Sequence, residues 1–221
     1  TQEKDIPDLT HFLSQTLSKV VQINSNIDKN GTKTGFSVTL NRVGKKDLDI
    51  INDFNAMQKS VRTNLPRFPH TEFCYKINSE ESQQCAYFGL QHLKDHISIL
   101  LINCPEINII SIDENGVQAK YSATEPAKNE ISSIPFSIYD IYEKSSICQR
   151  FIVLNNNDDE NKLSICIEIN SKNEIIPIND NMESISIDFP LVGSSSHTLP
   201  FYLNSPEFEP SPERNALILN G

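Results

Sequence analysis

Apolar and polar positions alternate along the first part of the chain. Val21, Ile23 and Ile27 share one side of residues 19–27, and Phe36, Val38 and Leu40 share one side of residues 36–43. Asp28-Lys29-Asn30-Gly31 lies between them, and Asn-Gly readily takes the positive φ that a tight turn needs. The pattern predicts a β-hairpin over residues 19–43, after a short, mildly amphipathic stretch at 10–17. From Asp47 the period changes: Leu48, Ile51, Phe54, Met57 and Val61 recur every three or four residues. That spacing is one face of a helix over 47–61, with Asp47 as its cap. Pro66 and Pro69 end the element and open a linker.

Residues 71–77 alternate as a strand. Ser79-Glu80-Glu81-Ser82 then reads as a helix start, acidic where the helix dipole is positive. The helix runs to about Asn103, and its apolar side, with Tyr87, Phe88, Leu90, Leu93, Ile97, Leu100 and Leu101, is broad. Strands follow at 107–113 and 117–121, joined by Asp113-Glu114-Asn115-Gly116, and at 150–154 and 163–169, joined by the polar run 155–161. Leu163, Ile165, Ile167 and Ile169 alternate cleanly, so one face of that strand is expected inside and the other outside. Leu93, Ile97, Leu100, Ile165 and Ile167 are accordingly expected in one core. Further strands are expected at 184–189 and 200–204. Residues 213–219 look like a helix, with Ser211 as cap and Pro212 at its first position.

The predicted class is α+β: a mixed β-sheet with a packed long helix and a β-α-β unit, plus an N-terminal hairpin and helix. Residues 1–66 form the hairpin-helix segment and 67–221 the larger domain. The chain stops at Gly221, inside the last predicted helix. A fragment of a longer protein is therefore expected.

Composition narrows the chemistry. The net charge is −10, which disfavours nucleic acid, a polyanion usually gripped by clustered cations. Arg42, Lys45 and Lys46 make the single basic cluster of note, and a solvated turn explains them better than a phosphate site. No apolar run reaches the roughly 20 residues of a membrane helix. There are five cysteines, none within three residues of another, so the paired spacing of a zinc site is missing. Cys74, Cys104 and Cys166 sit in apolar stretches and read as reduced core residues in the cytoplasm.

No Walker loop, dinucleotide-binding glycine fingerprint, HExxH or GxSxG occurs, and seven glycines leave little for a phosphate cradle. His92 and His96 stand four apart on the long helix, a spacing able to hold a metal. No third ligand is evident, so a partly exposed helix face is favoured and no metal is expected. Cys85 with His70 is a nucleophile pair on paper, without local support. The chain carries no complete catalytic site.

Two stretches together resemble a known family. One runs from TEFCYKI through the long helix to LLINCPEINIISID, and the other is SISIDFPLVGSSSHTLPFYLNSPEFEPSPERNALIL. They are similar to the segment after the nucleotide-binding domain in GHKL-type ATPases, most of all the sacsin-like and heat-shock-chaperone-like ones. The family's apolar strand ending in Pro falls on residues 187–190, its LP-strand-Asn on 199–204, and its Arg at a helix start on Arg214. In that family a preceding domain binds ATP and Mg through a helix Asn and Glu, an Asp-Gly motif and a glycine-rich lid. None of these is visible here. The segment itself contributes one basic side chain that reaches the γ-phosphate. The resemblance thus implies Arg214 as catalytic residue, and Asn204 with Arg214 toward the nucleotide, only when the upstream domain docks. Glu209 and Glu213 could instead hold Arg214 in a surface ion pair. Gly31-Thr32 resembles the family's Gly-Thr closing motif, although the hairpin turn accounts for those residues equally well. The implied role is a non-catalytic coupling segment, with the upstream domain and protein clients as partners and without nucleic acid or membrane. The alternative is a protein-binding module with no ATPase role.

Overall fold

A computed structural model describes residues 20–41, 46–124, 126–131, 134–156, 162–179, 182–191, 194, 199–211 and 216–218. The expected stretch at 10–17, Arg42, Lys45 and the run 157–161 lie outside the described residues. The fold is α+β and mostly sheet. Contacts divide the chain into two units, one spanning residues 11–89 and the other mainly 90–221. This division falls within the long helix, and the strand at 72–75 pairs back onto the N-terminal hairpin.

In the first unit, β1 (Val20–Lys29) and β2 (Thr32–Asn41) form the expected hairpin in continuous register. Its turn places Asn30 at φ 57° and Gly31 at φ 80°, and Asp28 Oδ1 accepts a hydrogen bond from the Gly31 N–H at 2.9 Å. β3 (Arg62–Leu65) and β4 (Glu72–Tyr75) complete a four-stranded sheet in the order β3-β2-β1-β4. In helix α1 (Asp47–Ser60) the N-cap position falls on Lys46, which makes no side-chain capping bond, and Asp47 instead occupies the acidic first turn with Asp49. Ser60 Oγ ties the other end of α1 to β2 by accepting from the Thr39 N–H at 2.8 Å. No residue of α1 is buried, so its apolar face is present but uncovered among the described residues.

Helix α2 (Glu80–Asn103) begins at a reciprocal cap: the Ser82 N–H donates to Ser79 Oγ at 3.1 Å, and Ser82 Oγ accepts from the Ser79 N–H at 3.0 Å. The strands on either side of α2 join different sheets, β4 the first and β5 (Ile110–Glu114) the second.

The second sheet adds β6 (Val117–Ala123), β7 (Ala127–Ile131), β8 (Ile134–Glu143), β9 (Ser146–Asn156), β10 (Leu163–Ile169), β11 (Ile185–Ile187), β12 (Phe189–Pro190) and β13 (Tyr202–Asn204). Its order is β12-β11-β13-β10-β9-β8-β6-β5, with β7 beside β8. Every pairing is antiparallel except β11 with β13. Ile97, Ile99, Leu101 and Ile102 of α2 pack with Ile141, Phe151, Val153, Cys166 and Tyr202 in one apolar core.

Two expectations are corrected here. Ile97 lies in that core and Leu93 packs against it, but Leu100 is buried outside it, and Ile165 and Ile167 are only half-buried. Cys166 is the β10 residue in that core, because register sets it opposite Val153 and Tyr202, which belong to the same core. Residues 216–218 are also not helical. Leu217 bridges Pro210, and the Ser211 and Ile218 N–H groups donate to the carbonyls of Ala216 and Glu209, both at 2.8 Å. These bonds pair residues 209–211 with 216–218; Pro212 and the start of the expected helix lie outside the described residues. No helix among the described residues is long and apolar enough to cross a membrane.

All five cysteines are free thiols, but their burial differs from the sequence expectation: Cys85 and Cys166 are buried, Cys104 is intermediate, and Cys74 and Cys148 are exposed. Burial pushes the Cys166 thiol up to about 12, which leaves almost no thiolate at neutral pH. In the native protein a thiol reagent should label Cys74 first and reach Cys85 and Cys166 only on unfolding, as peptide mass mapping would record. Labelling of Cys166 as fast as Cys74 would contradict the packing of β10.

Candidate functional site

The two stretches that carry the family resemblance meet where the end of α2 reaches the bend after β11, Asn103 to Asp188. β13 ends at Asn204 and runs parallel to β11, with Ser186 opposite Asn204. Beyond β11 the chain bends at Asp188, a non-glycine residue at φ 61°. Its backbone is held from two sides: Asn204 Oδ1 accepts from the Asp188 N–H at 2.8 Å, and Asn103 Nδ2 donates to the Asp188 carbonyl at 3.4 Å. Asn204 is buried, so its amide is a brace for this bend. It also borders a cleft of about 380 Å³ that Asn103, Asn155, Lys162 and Ser164 line as well. Arg214, the candidate catalytic cation, and its neighbour Glu213 lie outside the described residues.

A second constellation gathers in the same unit, at the start of its helix. His92 and His96 lie one turn apart on α2, with ring centres 4.4 Å apart. Glu183, just before β11, comes against both. Its Oε2 is 3.0 Å from His92 Nε2 and 3.2 Å from His96 Nε2. His96 is fully enclosed, Glu183 is nearly so, and His92 is the most open of the three. His96 Nδ1 bonds the carbonyl of His92 at 2.9 Å. A carbonyl only accepts, so Nδ1 carries the proton. His96 Nε2 faces Glu183 but is out of line for a hydrogen bond, and it has no other partner.

The charges reinforce each other. Burial alone would raise the Glu183 pKa, but the hydrogen bond from His92 and the neighbouring His96 ring hold the carboxyl well below the usual carboxylate range. Burial would likewise lower His96, yet Glu183, the His92 carbonyl and Asp95 leave it raised above an ordinary imidazole. The three ligand-type atoms lie within 4.8 Å of one another. The sequence offered the two histidines but not the carboxylate, which stands far downstream with no local motif around it.

The other candidates separate. His70 is largely exposed and sits 3.2 Å from Glu72, while Cys85 is buried. Lys46 is exposed at the start of α1. Gly31 serves the β1–β2 turn. No protein-family model matches the chain, and neither a curated protein nor a solved structure matches it.

Proposed function

We propose that this chain is the coupling segment of a GHKL-type, chaperone-like ATPase, transmitting the state of an upstream nucleotide-binding domain to the rest of the machine. One observation carries the reading. The two stretches similar to that family, separated by some seventy residues of chain, meet where Asn103 at the end of α2 donates to the Asp188 carbonyl, and the family's Asn, Asn204, braces the same bend between β11 and β12. A braced bend suits a segment that must present a fixed cation to another domain. ATP and Mg belong to the upstream domain. Arg214 supplies the guanidinium that stabilises charge developing on the transferred phosphoryl group. In the full-length protein, Arg214→Ala should lower ATP turnover at least ~10-fold, in keeping with arginine-finger effects, with little change in ATP affinity. Unchanged turnover would remove the proposed role.

A second reading, a protein-binding module without ATPase chemistry, has its own observation. Leu48, Ile51 and Phe54 are 69%, 55% and 53% exposed on a helix with no buried residue. Apolar groups clustered on one exposed helix face commonly mark contact surfaces. A full-length protein that neither binds nor hydrolyses ATP would favour this reading over the first.

A further inference from the structure

We propose that His92, His96 and Glu183 form a binding site for a divalent transition-metal ion of the zinc class. The argument is geometric and does not depend on the coupling role. A tetrahedral ion with ligand bonds of about 2.0–2.1 Å needs its ligand atoms roughly 3.3 Å apart. Glu183 Oε2 stands 3.0 Å from His92 Nε2 and 3.2 Å from His96 Nε2. Two imidazoles and one carboxylate are the donor set of many zinc sites that keep a position open.

The surroundings of His96 point the same way. Its Nδ1–H is committed to the His92 carbonyl, the outer contact that commonly orients a metal-bound histidine and leaves Nε2 as the donor. That Nε2 is enclosed, lacks a hydrogen-bond partner and faces the carboxylate. In a neutral ring it presents a lone pair to an anion, which is repulsive in a buried setting. A cation between them removes the conflict and satisfies all three groups. A second proton on His96 is the competing solution, and it needs no metal. The partial opening at His92 gives the ion a way in.

The test is calorimetric titration of Zn²⁺ into protein stripped with a chelator and dialysed. The site predicts a single equivalent bound, a rise in melting temperature with Zn²⁺ that chelator reverses, and affinity weakened at least ~10-fold by His92→Ala and by Glu183→Gln. His92 is the most open ligand, so His92→Ala tests the site even if Glu183→Gln fails to fold. No binding by the wild-type chain would leave the proton-only arrangement and overturn the proposal. Binding that His92→Ala does not weaken would place the ion elsewhere and overturn it equally.

Discussion

Phe151→Ala should lower the unfolding free energy by about 3–5 kcal/mol, among the largest losses for a single apolar truncation. Phe151 is 1% exposed in β9, at the middle of the second sheet, between Tyr139 on β8 and Glu168 on β10. Its ring faces the helix side and lies 6.3 Å from that of Tyr202. Removal strips a large apolar surface from the core and leaves a cavity bounded by two hydrogen-bonded neighbouring strands, which cannot close in without breaking their ladders. Phe189→Ala is the control. That ring is 56% exposed at the sheet edge, and its loss should cost within about 0.5 kcal/mol. Urea denaturation of both variants checks the pair. A loss below about 1 kcal/mol for Phe151→Ala would mean that this face of β9 is not the core.

Local chemistry made some elements legible and left others hidden. Both Asn-Gly turns could be read directly, since Asn30-Gly31 and Asn115-Gly116 adopt the left-handed pair that a two-residue hairpin requires. Helix α2 was equally clear, because its apolar period and its serine cap agree. The facing of β10 was not. Its larger aliphatic residues lie on the side away from α2, where Ile165 opposes Leu154 and Leu203, and Ile167 opposes Ile152. With apolar rows on both faces, alternation cannot say which one the helix covers; register with β9 decides it. β8 carries no clear strand pattern although it is central, since Pro135 argues against a strand and a bulge at Ile141/Tyr142 breaks the alternation. Pro135 is tolerated at the end of β8, opposite Glu130 of the short β7.

The candidate sites divide in the same way. The long helix fixed the relation of His92 to His96, because four residues make about one turn. Glu183 reaches them only through the fold, which brings the approach to β11 alongside α2. Asn204 was legible as a residue of interest through the family resemblance, but its bond to the Asp188 N–H has no sequence signature. Free-energy coupling between sheet and helix in this region therefore depends on contacts of long sequence separation, which a local pattern does not encode.

Gly35→Ala should destabilise the first unit by roughly 2–3 kcal/mol, the upper part of the usual cost of overpacking. Gly35 lies in β2 between Asn26 of β1 and Leu65 of β3. A Cβ there would clash with the Pro66 carbonyl oxygen and stand 3.0 Å from the Phe68 ring. The ring can turn aside, but the carbonyl belongs to the backbone leaving β3. Relief therefore requires β3 to move away from β2, where the pairing is already irregular between Gly35 and Ser37. The movement also strains the bonds that anchor residue 68: the Phe68 N–H donates to Asn26 Oδ1 at 3.0 Å, and Asn26 Nδ2 donates to the Phe68 carbonyl at 2.9 Å. Hydrogen exchange separates this from a general loss. Amides of β2 and β3 should lose protection in Gly35→Ala while those of β9 and β10 keep theirs, because the two sheets belong to different units. Wild-type protection throughout β2 and β3 would show that the close approach of residues 35 and 66 is not present in solution.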